Sequence, residues 1–125
     1  MTWLLIPVDL VEVIHDEVLN PGELPGRARD KSLEAALARV DNRIAYGMIS
    51  DVFDLAAAYA VAVARGHCFN DANKRTAFRV MNAVLALNGV RVTWDVGDVG
   101  PMIVRVAQGL VEEPTLADWL RLRAG

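Results

Sequence analysis

The sequence predicts an all-α fold, a compact bundle of about six helices, and three observations carry that prediction. Apolar residues recur at three- and four-residue spacings along most of the chain, the period of a half-buried helix. Clusters of proline, glycine and asparagine interrupt that period and mark the connections. Branched, alternating residues are confined to VRVTWD at 90–95, too little strand to carry a fold.

The first helix is expected over Val8–Leu19, with Pro7 near its first turn. Val8, Val11, Ile14, His15 and Val18 share one face there, while Asp9, Glu12, Asp16 and Glu17 fall elsewhere. NPGELPGRARD, with two prolines and two glycines, forms the next loop. Asp30 or Ser32 then caps a second helix whose stripe is Leu33, Ala36, Leu37 and Val40. After a turn around Gly47, Asp51 opens a third helix, DVFDLAAAYAVAVARG, ended by Gly66. Its alanines let neighbouring helices approach closely, so it is the central helix of the bundle. A fourth helix runs from about Ala72 to Leu87, with Ala77, Phe78, Met81, Val84 and Leu85 on its apolar face and Asn88 and Gly89 as its stop. The fifth is expected over Pro101–Leu110, and the sixth opens at Pro114 and buries Leu116, Trp119, Leu120 and Leu122. The third and fourth helices form the core hairpin.

At 125 residues the chain makes one domain, 1–125, large enough for a real core but not for two. A net charge of −3 gives no general attraction to nucleic acid or to an anionic membrane, so neither is expected as a partner. Cys68 is the only cysteine, which excludes an intrachain disulfide and suits a reducing compartment. MTWLLIPVDLVEVIHDE has no basic leader, and the longest apolar run, Leu55–Ala64, stops at Arg65, short of a bilayer span. A cytoplasmic protein is expected.

The chemistry collects in HCFNDANKRT, residues 67–76, between the third helix and the first turn of the fourth. The opening N–H groups of a helix lack intrahelical partners and sit at its positive end, so an anion finds donors already aimed at it. Lys74 and Arg75 are cations at the end of a helix that normally favours acids, an arrangement that makes sense with phosphate between them and the helix. Asn73 adds a neutral donor. Asp71 is either a simple N-cap or a ligand for Mg²⁺ carried in with phosphate. His67 is either an ordinary surface histidine or the general base for a hydroxyl attacking a bound phosphoryl group. Phe69 is the apolar anchor of the loop, and Cys68 a packing residue. The stretch is neither the GxxxxGK[ST] loop nor the HRD and DFG set of protein kinases.

HCFNDANKRTAF, together with IHDEVL and GRARDKSLEAAL, resembles the Fic/Doc superfamily, and within it the Doc branch, the death-on-curing toxins of toxin–antitoxin pairs. The resemblance covers most of the chain in the family's order and implies a small all-α bundle. It implies His67 as base, Phe69 as buried aromatic, Asp71 as magnesium ligand, and Asn73 with Arg75 as phosphate holders. Ala72 and Lys74 stand where typical Fic members have the glycines of GNGR, and Phe78 where they have a second arginine. The filled glycine positions imply a nucleotide that lies differently along Ala72, Asn73, Lys74 and Arg75.

Typical Fic enzymes transfer AMP from ATP. Doc-like members are similar to protein kinases that pass on the γ-phosphoryl group, with a threonine of elongation factor Tu as the known type of target and translation arrest as the result. The resemblance therefore implies an ATP- and Mg²⁺-dependent kinase toxin. AMP transfer on the same scaffold and a non-catalytic helical binding module stand as alternatives. The inhibitory pattern (S/T)xxxE(G/N) carried by many Fic proteins is absent from this sequence, so the expected brake is an external antitoxin. His15, Arg27, Arg29 and Asp30 are further positions to locate, each as a structural residue or as a border of the site. Trp94 and VRVTWD are a candidate flap for a target peptide.

Overall fold

A computed structural model describes residues 2–124. They form six helices: α1 (Val8–Val18), α2 (Leu33–Ala45), α3 (Val52–Gly66), α4 (Asn73–Leu87), α5 (Val96–Ala107) and α6 (Glu113–Arg123). No strand occurs among the described residues, and the all-α expectation holds. Helix α3 lies against α2, α4, α5 and α6, while α1 packs on α4 and α2. Leu55 through Ala64 are buried without interruption, which only a helix covered on every side can achieve. Ala56, Ala57, Ala60 and Ala64 are fully buried, so four neighbours approach the α3 backbone without large side chains between them. Leu33, Leu55, Met81, Leu85, Leu116 and Leu120 fill the remaining volume, each contributing on the order of 1.5–3 kcal/mol by burial.

The helix boundaries follow from their caps. Ser32, rather than Asp30, caps α2 by accepting from Ala35 N–H at 3.0 Å, and Asp51 caps α3 by accepting from Asp54 N–H at 2.9 Å. Helix α5 begins five residues earlier than the sequence suggests, because Asp95 caps it by accepting from Gly97 N–H at 2.9 Å. Pro101 therefore lies inside α5 instead of opening it. Its missing N–H removes one intrahelical hydrogen bond, the one to the Gly97 carbonyl, and Val99, Ile103 and Val106 keep a continuous buried stripe through it. In α6, Leu116 and Leu120 are buried as expected, but Leu122 is 83% exposed. VRVTWD is extended and alternates inward and outward, yet it pairs with no strand. Trp94 is not free to act as a flap: it packs edge-on against Phe78 and its indole N–H donates to Asn82 Oδ1 at 2.8 Å.

Polar ties join distant elements at the edges of the core. The Tyr59 hydroxyl, reaching out of α3, accepts from Ile6 N–H at 3.0 Å and donates to the Ile6 carbonyl at 3.2 Å. Asn88 holds Leu4 the same way, at 2.9 and 3.0 Å. Arg121 of α6 grips Asp51 with two donors, at 2.8 and 3.0 Å, and reaches Asp54 at 2.6 Å, which locks α6 to the start of α3. That guanidinium holds the Asp51 carboxyl below the usual aspartate range.

Ala60→Leu is expected to lower stability by about 1–3 kcal/mol through overpacking, measured as a denaturant midpoint; an unchanged midpoint would show slack around α3. Asp51→Asn keeps a capping side chain but loses the charge, and is expected to cost up to about 1 kcal/mol at neutral pH. Because the folded-state pKa is depressed, the contribution is present above the ordinary aspartate value and lost as pH falls through the folded one. The gap between the two proteins therefore closes below about pH 4. A gap independent of pH would exclude the ion pair as its source.

Candidate active site

The connection between α3 and α4 is bracketed by two residues in the left-handed conformation. His67 ends α3 with φ 49° and ψ 39°, and Ala72 precedes α4 with φ 65° and ψ 25°. For a non-glycine residue this conformation costs on the order of 1–2 kcal/mol, so the surroundings must impose it. Gly66 makes the first turn feasible: a Cβ there would stand 2.9 Å from Cys68 Sγ and 3.3 Å from Ala36 Cβ. Phe69 and Cys68 then point into the core, 3% and 1% exposed, while His67 remains on the surface. Burial pushes the Cys68 thiol up, which favours the neutral thiol over the thiolate and agrees with a packing role.

The loop between α1 and α2 is laced along this connection. Ala28 N–H donates to the Cys68 carbonyl at 2.8 Å and Asn70 N–H to the Gly26 carbonyl at 3.1 Å, a short antiparallel bridge between Arg27 and Phe69. The Asn70 side chain donates to the Pro25 carbonyl at 3.0 Å. Arg27 is spent on structure: it pairs with Glu12 of α1 at 2.7 Å and Glu34 of α2 at 2.6 Å, fixing the loop between both helices. Arg29 and Asp30 are exposed beside it and form no ion pair among the described residues. His15, 1% exposed, stacks on the Phe69 ring at 3.8 Å and hydrogen-bonds through Nε2 to the Asp71 carbonyl at 2.8 Å.

Asp71 does not cap α4. Its Oδ2 accepts from Leu24 N–H at 2.8 Å, and the N-cap position is taken by Ala72, which has no side chain able to cap. The Asn73 side chain turns back instead, accepting from Phe69 N–H at 3.1 Å and donating to the Phe69 carbonyl at 2.9 Å. The first turn of α4 is thus left uncapped, and its N–H groups stay available to an anion. A depression of about 260 Å³ lies there, lined by Glu23, Asp71, Ala72, Asn73, Lys74 and Arg75. Lys74 is exposed and has no ion-pair partner among the described residues. Arg75 is already engaged: one nitrogen donates to the Val18 carbonyl at 2.5 Å and another to the Glu23 carboxylate. The Arg75 hydrogen bond, followed by Asn20 N–H at 2.6 Å, holds the Glu23 carboxyl below its usual range.

Five of the six residues expected at the site, Asp71, Ala72, Asn73, Lys74 and Arg75, therefore line one depression, while His67 stands at the opposite end of the same braced loop. Glu23 was not foreseen. It lies in a proline- and glycine-rich loop with no periodicity to mark it, and only the fold brings it to Arg75. A magnesium ion fits the donor set in one manner. No group of three or more histidine, cysteine or acidic side chains able to hold a metal occurs among the described residues, but Mg²⁺ is commonly held by one or two carboxylates plus substrate phosphates. Asp71 Oδ2 is taken by Leu24 N–H, and its Oδ1 has no hydrogen-bond partner among the described residues.

A braced loop on an all-α scaffold thus has an exposed histidine at one end and, at the other, an uncapped helix start beside a carboxylate and two cations. The Fic/DOC family model matches residues 5–85, and the chain belongs to that family. It is 40% identical over 115 residues to the protein kinase Doc of Escherichia phage P1, an alignment spanning 92% of this chain and 90% of that protein.

Ala72→Gly removes the left-handed penalty. It is expected to raise stability by about 0.5–1 kcal/mol after the entropy of the added glycine is counted, measured as a denaturant midpoint. A lowered midpoint would mean that the methyl group contributes packing worth more than the strain.

Proposed function

We propose that this protein is a toxin-type protein kinase that transfers the γ-phosphoryl group of ATP to a serine or threonine hydroxyl of a translation protein, elongation factor Tu being the first candidate. One observation carries the reading: a single braced loop presents exposed His67 at one end and, at the other, an uncapped helix start flanked by Lys74 and Arg75. The 40% identity to a protein kinase supports it.

The chain's own groups divide the work as follows. The N–H groups opening α4, with Lys74 and Arg75, bind the phosphates and offset their charge. Asn73 keeps the loop closed through both of its bonds to Phe69, so the donors do not reorganise as the charge moves. Asp71, fixed by Leu24, is the residue that would hold Mg²⁺, which when bound would supply charge neutralisation for the phosphates. His67 accepts the proton of the incoming hydroxyl. The hydroxyl oxygen forms its bond to the γ-phosphorus, the bond from that phosphorus to the β-bridging oxygen breaks, and ADP leaves with the electron pair. Arg75 meets the phosphate while bonded to Glu23, so that carboxylate must yield or share.

An external inhibitor belongs to the same reading. An apolar groove of about 370 Å³ beside the site, walled by Phe78, Trp94, Val99 and Ile103 with Lys74 at its edge, suits the amphipathic segment of an antitoxin that orders on binding. No described helix is long and apolar enough to cross a membrane.

Incubation with elongation factor Tu, Mg²⁺ and ATP is expected to add about 80 Da to the factor, the mass of a phosphoryl group. A gain of about 329 Da would assign AMP transfer instead, and no gain together with no ATP binding by calorimetry would leave a protein-binding module. His67→Ala is expected to reduce the transfer rate about 100- to 10,000-fold, to keep nucleotide affinity, and to abolish growth arrest on expression. Undiminished arrest by the folded variant would remove His67 from the mechanism.

A further inference from the structure

We infer that His15 is a positioning residue for phosphoryl transfer, acting from α1 by orienting the Asp71–Ala72 peptide; its effect on catalysis rests on the kinase reading above. The residue is 1% exposed on a face that otherwise buries Val11. A leucine would satisfy the packing there, and an imidazole so deeply buried is costly unless it is bonded.

Its two contacts reach the motif. The ring lies 8° from parallel with Phe69, at 3.8 Å, and Nε2 stands 2.8 Å from the Asp71 carbonyl oxygen. A carbonyl only accepts, so Nε2 carries the proton, and Nδ1 faces the exposed carboxylate of Asp16 at 3.5 Å. Because a trans peptide is planar, its C=O and N–H point in opposite directions. By gripping the Asp71 carbonyl, His15 therefore turns the Ala72 N–H away from itself, and that N–H meets no other partner among the described residues.

Ala72 needs this constraint, since it holds φ 65° without being glycine. Its own carbonyl then accepts from Thr76 twice, from the amide at 2.9 Å and from the hydroxyl at 2.8 Å, which starts α4. The Asp71 side chain is held at a second point, by Leu24 N–H at 2.8 Å on Oδ2, a bond whose geometry depends on the backbone position that His15 sets. Asp71 is thus held at its carbonyl from α1 and at its carboxylate from the α1–α2 loop, with Oδ1 left for a cation. Loss of the imidazole donor frees the peptide plane, and with it both the Ala72 donor and the Asp71 carboxylate.

Two substitutions separate the donor from the ring. His15→Phe keeps the stack on Phe69 and loses the hydrogen bond, whereas His15→Gln loses the stack and keeps an N–H able to reach the carbonyl. Amide exchange in the ligand-free protein is expected to quicken about 3- to 10-fold at Leu24 in His15→Phe, with α3 amides unchanged, and to stay within about twofold of wild type in His15→Gln. Phosphoryl transfer at saturating ATP is expected to fall about 10- to 100-fold in His15→Phe and to recover in His15→Gln. Wild-type exchange and transfer in His15→Phe, or equal damage in both variants, overturns the proposal. If wild type transfers no phosphate, the kinase reading fails, and exchange at Leu24 alone decides whether His15 positions Asp71.

Discussion

Burial of α3 on every side is the constraint from which the rest of the structure follows. A helix that meets four neighbours must be narrow, and the alanines at 56, 57, 60 and 64 make it so. The cost is that most of its buried positions are small, Leu55 and Tyr59 apart, which the leucines and Met81 of the surrounding helices offset. Gly66 and His67 leave α3 where close packing has already fixed position and direction, and a site built on that end inherits the rigidity of the core.

The loop proposed to carry the chemistry is held from outside as well as from within. Asn73 closes it locally, His15 and Phe69 hold its floor, and residues 24–28 run along its rim through backbone hydrogen bonds. None of these contacts alone exceeds about 1–2 kcal/mol, yet together they maintain two left-handed residues and an uncapped helix start. Both features are unfavourable in isolation. Their joint persistence at one place is the pattern expected where strain serves binding.

The helices were legible because hydrophobic period is a local signal. Val8, Val11 and His15, or Met81, Val84 and Leu85, announce their face from spacing alone. The central position of α3 was legible too, since an unbroken run of small apolar residues has no polar side to expose. The start of α5 was not, because Asp95 as a cap had to be weighed against the disruptive reading of Gly97, Gly100 and Pro101. At the site, the motif residues were visible in sequence but their bonding was not. Asp71 turns to a backbone N–H 47 residues away, and Arg75 finds Glu23 across a loop whose composition predicts only irregular structure. Such pairings are set by tertiary approach, which leaves no local period to read.

The burial of Cys68 has a practical consequence. It is the only thiol in the chain, it lies one residue beyond the proposed base, and it is sealed beneath the rim that Ala28 and Ser32 help to form. A thiol reagent can reach it only when that rim lifts. The protein thus carries its own clock for loop opening: the rate at which Cys68 is labelled reports, without an added probe, how often the floor of the site is exposed to solvent.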